Sequence, residues 1–390
     1  MIVRDLKIRE IFATNSQRTI EIEIETPKGT VRSSVPIGTS RGIHEVVFLS
    51  VEDVIRKFLL IKKHFISDFI DQEDVDSTLR IIDKTPNFKE IGGNLAIAIS
   101  SAFLKAFALD EGKDVFEFLL KGEVKIPKPI CNVVGGWAGT GASDIQEYLL
   151  LPVHQTSFLE NIKKISDCYI KIGKELKEKD RTFVFAKNLE SAWVTSLSVE
   201  KTLDIIHKIA NENLLRIGLD VAASQLWDGS FYVYSGSGKK YNRTEQISFL
   251  EDLVNRYKIL YIEDPFHEED LIGFSTLTHR LSPRIVCGDD IYATNLKRLK
   301  IGIEHKATNA IIIKPNQVGT ISDVINVVKE AKKNKILTVV SHRSGETEDT
   351  LICHLAVGLG CDYIKLGISG ERTVKINEMI RIEEKITKES

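Results

Sequence analysis

Along Thr19–Thr26 (TIEIEIET) apolar and polar residues alternate strictly, which places Ile20, Ile22 and Ile24 on one face of a strand. Pro27–Lys28–Gly29 is a turn signal, and Val31–Val35 can return antiparallel. The period then changes. Ser50 is placed to cap a helix through Val54, Phe58 and Leu59, with Asp53 supporting its start. A second helical pattern covers Asn94 to about Ala108. Strands first and helices afterwards predict a small α+β unit over residues 1–125. Lys125–Pro129 (KIPKP) reads as a linker, because proline disfavours helix at the residue before it.

Over residues 126–390 the rhythm is different: short apolar runs alternate with helical segments. The runs are Thr182–Ala186, Leu215–Val221, Ile259–Ile262, Arg284–Cys287, Ala310–Ile313, Leu337–Val340 and Tyr363–Ile364. Helical patterns between them include Val199–Ala210, Gln246–Tyr257, Ile321–Lys332 and Thr347–Ala356. Repeated strand-then-helix at this spacing predicts an α/β fold with a parallel sheet closed into a (β/α) barrel. The polar residues at or just after the ends of these runs are Glu190, Asp220, Glu263, Asp289, Lys314, His342 and Lys365. In a parallel barrel all C-terminal strand ends face one mouth, so these distant residues are expected to converge there.

Composition narrows the partners. The 390 residues carry 53 Lys+Arg against 55 Asp+Glu, a formal charge of −2, which argues against a dedicated nucleic-acid binder. No run reads as a membrane span: the best, Leu95–Leu109, is short, contains Lys105 and carries two serines, and reads as a buried helix. The opening residues alternate and do not form a signal-peptide core. Five cysteines without a C-x-x-C pair read as small core residues in a reducing compartment, with the cytoplasm as the default.

Asp220, Glu263 and Asp289 offer three hard oxygen donors on successive predicted strands, a set suited to Mg²⁺. Taken alone, they could equally form an ion-pair network with neighbouring lysines; their position at strand ends favours a metal. Lys314, His342–Arg343–Ser344 and Lys365 follow in strand order. A desolvated lysine near other cations can have its pKa lowered and act as a base. Arginine and lysine together fit a carboxylate or phosphate. A cation on one side of a mouth and basic side chains on the other describe a site for a small polyanion and for proton abstraction beside a carboxylate.

Several stretches resemble the enolase family. They are Ser341–Thr350 (SHRSGETEDT), Gly218–Ser224 (GLDVAAS), Ile262–Phe266 (IEDPF), Gly288–Asp290 with Ala293–Thr294–Asn295, and Lys314–Thr320 (KPNQVGT). Gln146–Glu147 after Gly135–Gly136, and Val35–Glu45 (VPIGTSRGIHE), belong to the same set. The matches run in the family's order from about residue 20 to about residue 384. The resemblance implies a small N-terminal α+β domain before an enolase-type barrel. It implies reversible, Mg²⁺-dependent dehydration of 2-phosphoglycerate to phosphoenolpyruvate by a cytoplasmic homo-oligomer, a dimer or an octamer. On these positions, Asp220, Glu263 and Asp289 would hold the structural Mg²⁺, and Lys314 would remove the C2 proton. Glu190 would be the general acid on the departing 3-hydroxyl, with Glu147 beside it and Gln146 contributing to binding. Lys365, His342, Arg343 and Ser344 would grip carboxylate and phosphate, and Ser40 would ligate a second Mg²⁺.

The chain also departs from the family pattern. Ala13–Thr19 (ATNSQRT) replaces a DSRGNPT turn that mostly supports the subunit interface. Ala138 stands, nine residues before Glu147, where a histidine is usual, beside Trp137, which reads as a packing residue. Leu189 precedes Glu190 where an aspartate is usual, so a register set by Ala192–Trp193 keeps the glutamate. Gln225 replaces a glutamate after the DVAAS stretch. An altered leaving-group side leaves three readings: the hydratase itself, a paralogue abstracting the α-proton of another small phospho- or carboxy-acid, and an enolase-shaped binding protein. The intact lysine base argues against the last, and the hydratase is favoured.

Overall fold

The computed structural model describes residues 1–39, 42–136, 143–154 and 156–389. Strands β1 (Asp5–Phe12), β2 (Arg18–Thr26) and β3 (Gly29–Ser34) form an antiparallel sheet in that order. Ile20, Ile22 and Ile24 are fully buried on one face of β2, as the alternation predicts, and the helix Gly93–Glu111 packs against that sheet. Ser50 caps the helix Val51–Ile61 by accepting a hydrogen bond from the Asp53 backbone N–H at 3.1 Å. The helix Gly93–Glu111 outruns its predicted apolar stretch. Its Gly93–Asp110 window is long and apolar enough to cross a membrane, but 83% of that window is buried inside the fold, as befits a core helix.

The rest of the chain builds a closed barrel. Its strands are β4 (Lys128–Gly135), β5 (Glu147–Pro152), β6 (Leu215–Asp220), then, past a hairpin of β7 (Tyr232–Tyr234) and β8 (Lys239–Tyr241), β9 (Tyr261–Glu263), β10 (Ile285–Gly288), β11 (Ala310–Ile313), β12 (Leu337–Ser341) and β13 (Tyr363–Gly367). Around the barrel the order is β10-β11-β12-β13-β4-β5-β6-β9. Ile130, Leu149, Leu151, Tyr261, Cys287, Ile312 and Val339 fill its interior. All five cysteines are buried and free.

Three sequence expectations are corrected. Lys128 and Pro129 belong to β4, where proline is tolerated near a strand start, so the linker is shorter than Lys125–Pro129. Thr182–Ala186 is not a strand: Phe185 sits at φ +58°, which ends an extended run, and Phe183 turns into the outer core. Its place in the barrel is taken by β4 and β5. The sheet is also not wholly parallel, because β5 runs antiparallel to both neighbours. Since β5 runs backwards, its first residue, Glu147, lies at the same mouth as the C-terminal ends of the other strands.

The N-terminal unit walls one side of that mouth. Ile37 and Gly345 exchange backbone hydrogen bonds of 2.7 and 2.8 Å, and the Ser34 N–H donates to Asp349 at 2.9 Å. The Ala13–Thr19 turn braces the same segment, with Thr14 N–H on the Glu346 carbonyl and the Glu346 N–H on Thr14 Oγ1.

Candidate active site

Strand register explains why distant acids meet. Glu147 on β5 pairs with Asp220 on β6, and Asp220 with Glu263 on β9, so three carboxylates stand side by side at the strand ends. Lys365 on β13 reaches them, with Nζ 2.8 Å from Glu147 Oε2, Asp220 Oδ2 and Glu263 Oε1. Burial opposes charge on Lys365, but Asp220, Glu147 and Glu263 override it and hold the ammonium well above its ordinary pKa. Lys314, just past β11, pairs with Asp289 Oδ2, and Gln317 Nε2 donates to the other Asp289 oxygen at 3.1 Å.

That pairing corrects one expectation. Burial, Arg343 and Lys365 all push the Lys314 pKa down, yet Asp289 outweighs them and the net shift is upward. The lysine is thus held charged by its own neighbour.

Glu190 enters on the loop between the helices Phe158–Lys179 and Val199–Glu212. Asn188 Oδ1 accepts the backbone N–H groups of Glu190 and Ala192, both at 3.0 Å, an Asx-type turn that sets the bend. Trp193 anchors the far side, stacking on Tyr169 with ring centroids 4.6 Å apart and donating its indole N–H to the Tyr169 carbonyl. The carboxylate receives Asn132 Nδ2 at 3.0 Å and lies 4.0 Å from His342 Nε2. Burial, reinforced by the Glu190 charge, pushes the Glu147 carboxyl well up. Burial acts the same way on Glu190, but the hydrogen bond with Glu147 and the fields of Arg372 and Lys365 override it and favour ionised Glu190. The pair therefore shares one proton, and the surroundings favour Glu147 as its holder.

His342 is buried, and neither ring nitrogen has a hydrogen-bond partner among the described residues. Burial first and Arg372 second hold its pKa well below the usual range, so the ring is neutral. Arg343 hydrogen-bonds Glu45 at 3.1 Å, and the guanidinium fills the space beside Gly38, where an added Cβ would lie 1.8 Å from it. Ser344 Oγ accepts the Thr39 N–H at 2.9 Å. Gln146 accepts from Gln225 Nε2 at 2.9 Å, so the exchanged glutamine orients a residue of the site.

Gln146, Glu147, Glu190, Asp220, Asp289, Lys314, His342, Arg343, Ser344 and Lys365 all line one cavity. Glu263 does not line it; fully buried, it lies beneath the floor, hydrogen-bonded to Tyr261 and Lys365. Ser40, Trp137 and Ala138 lie outside the described residues. Of the three predicted metal ligands, Asp220 and Glu263 pair with Lys365 and Asp289 with Lys314.

The charge balance nonetheless fits a divalent cation. Burial, with Asp220 next, pushes Glu263 up to about 8, and burial with Asp289 pushes Asp290 up to about 7. A buried acid cluster that short of positive charge suits a divalent cation that takes oxygen ligands. Among the described residues, two groups have ligand atoms within 4.8 Å of one another, Glu147–Glu190–His342 and Asp264–Asp289–Asp290.

Sequence reasoning missed Asp264, Asp290, Glu45, Gln317, Asn188 and Arg372. Four of these lie inside the motif stretches IEDPF, GDD, VPIGTSRGIHE and KPNQVGT, and Asp264 and Asp290 directly follow predicted residues. Asn188 and Arg372 carried no signal beyond lying near Glu190 and Lys365 in the chain.

Comparison with known proteins agrees with this geometry. The model of the enolase N-terminal domain matches residues 3–119, and that of the enolase C-terminal TIM barrel domain matches residues 123–390. The enolase of Archaeoglobus fulgidus is 40% identical, over 100% of this chain and 98% of its own length. Those of Methanothermobacter thermautotrophicus and Methanosphaera stadtmanae are 39% and 38% identical, each over 99% of this chain and 97% of their own.

Proposed function

The chain belongs to the enolase family, and from that premise we propose how its residues perform the reversible dehydration of 2-phosphoglycerate to phosphoenolpyruvate. It is a phosphopyruvate hydratase, a glycolytic lyase; neither a paralogue with another substrate nor a non-catalytic binding protein is favoured beside relatives that match at full length. The observation that carries the residue roles is the placing of Lys314 and the Glu147–Glu190 pair in one cavity, with the carboxylates of Asp220 and Asp289 between them and neutral His342 beside the pair.

Asp220, Glu263 and Asp289 would hold the structural Mg²⁺ and Ser40 a second, and the bound cation would supply positive charge against the negative charge that builds on the substrate carboxylate. The base must be the neutral amine of Lys314, which burial, Arg343 and Lys365 favour against Asp289. Its lone pair takes the C2 proton. The electrons left on C2 form the C2=C3 bond as the C3–O bond breaks, and the hydroxyl leaves as water with the proton stored on the Glu147–Glu190 pair. Arg343, Ser344 and His342 bind the phosphate and carboxylate, and Lys365, freed from its carboxylates, shares that grip. The division into residues 1–125 and 126–390, a cytoplasmic location and a homo-oligomeric state, dimer or octamer, complete the proposal.

Purified protein with Mg²⁺ and 2-phosphoglycerate should develop the ultraviolet absorbance of phosphoenolpyruvate. No absorbance at any Mg²⁺ concentration would overturn the assignment. The ligand set makes a separate prediction. Glu263 keeps its proton until about pH 8 in the metal-free protein, and that proton competes with the cation. Mg²⁺ affinity measured by calorimetry should therefore rise from pH 6 to pH 8.5, with protons released on binding. A flat profile would remove Glu263 from the ligand set.

A further inference from the structure

Arg372 is a buried cation that the reaction scheme leaves without a task. It is 1% exposed, beside the start of the helix Thr373–Glu389, and it binds three main-chain carbonyls. One Nη donates to Arg343 at 2.7 Å, and the other to Leu189 at 2.8 Å and Ser344 at 2.6 Å. One guanidinium thus ties the loop that carries Glu190 to the segment that carries His342, Arg343 and Ser344. Lys375, three residues on, is equally buried but has its own acid, Glu346, at 2.9 Å. Among the described residues the carboxylate paired with Arg372 is the exposed Glu371, 3.7 Å from Nε. Burying a guanidinium without a close acid is costly, and a neutral donor would meet carbonyls more cheaply. Gly367 shows how close the fit is: an added Cβ there would lie 2.6 Å from Arg372 Cγ and 2.8 Å from the Glu190 carbonyl oxygen.

We propose that Arg372 is a positioning residue for the leaving-group half of the reaction, holding the Glu190 loop and the His342–Ser344 segment at one fixed spacing. Its positive field also acts on both ends of that spacing, favouring ionised Glu190 and neutral His342. Lys314 stands outside this clamp, on the strand β11 side of the cavity. Loss of Arg372 should therefore separate the two halves of the reaction. The inference rests on the proposed roles of Lys314 and Glu190.

The test follows 2-phosphoglycerate with Mg²⁺ in deuterated water by NMR, reading exchange of the C2 proton and formation of phosphoenolpyruvate together. In Arg372→Met, dehydration should fall about 100-fold, the cost of a misplacement on the order of 1 Å, while exchange stays within about threefold of the parent. Arg372→Lys, which keeps the charge with fewer donors, should recover about tenfold of the lost dehydration. Gly367→Ala, which displaces the same two groups without removing the charge, should shift the ratio in the same direction. Equal loss of exchange and dehydration, an unchanged ratio in all three variants, or aggregation of all three would make the clamp merely structural and overturn the proposal. A Lys314→Ala control that retains exchange would instead overturn the base assignment on which the inference rests.

Discussion

Replacing Lys314 with alanine is expected to lower kcat by about 10⁴-fold, the upper range for a positioned general base. C2-proton exchange should fall with it, because among the described residues no other lone pair of suitable basicity lines the cavity on that side: Lys365 is held charged, first of all by Asp220, and Arg343 never deprotonates. Metal binding should move the other way. In the metal-free protein Lys314 occupies Asp289 as an internal counter-ion, so its removal leaves a buried carboxylate in need of a cation. Calorimetry should accordingly show Mg²⁺ binding at least as tight as in the parent. Unchanged turnover would place the base elsewhere. Lost Mg²⁺ binding together with lost turnover would make Lys314 a structural partner of Asp289 and not the base.

Glu190→Gln should show the complementary separation. Dehydration is expected to fall by about 10²- to 10⁴-fold, while exchange at C2 persists, because Lys314 and its surroundings are untouched. The substitution removes the one anion that His342 and Arg372 both face, and with it the charge that keeps the shared proton on Glu147. The remaining acid then has no partner to accept the second role when the reaction runs toward hydration. Glu147→Gln tests the same pair from the other side: it keeps the shape of the protonated acid but cannot release a proton, so it too should lose dehydration more than exchange. A Glu190→Gln protein as active as the parent would show that the leaving-group acid lies elsewhere, and the Leu189–Glu190 register would have to be redrawn.

The two readings of the chain differ most where the physical cue is non-local. Alternation along Thr19–Thr26 determined which isoleucines are buried, because a strand with one wet face must alternate. Ser50 announced its helix, since a cap is a contact between residues three apart. The short runs before Asp220, Glu263, Asp289, Lys314 and His342 marked barrel strands and hence their common mouth. By contrast, β4 and β5 escaped notice because strands buried on both faces carry no alternation, and Thr182–Ala186 imitated one because its apolar residues read as a buried run, although only Phe183 of its two aromatics turns into the outer core while Phe185 is exposed. The reversed direction of β5, which brings Glu147 beside Asp220, has no local signature at all.

The sequence by itself determined the family and the barrel and pointed to many of the polar side chains at its mouth, because those properties reside in motif stretches and in strand period. Only the tertiary structure decided who neutralises whom. Lys365 among three carboxylates, Lys314 on Asp289, the proton on Glu147 and the Arg372 clamp join residues from 25 to 218 positions apart. Their energies depend on burial and on distances of a few ångströms between strands, which no spacing along the chain encodes.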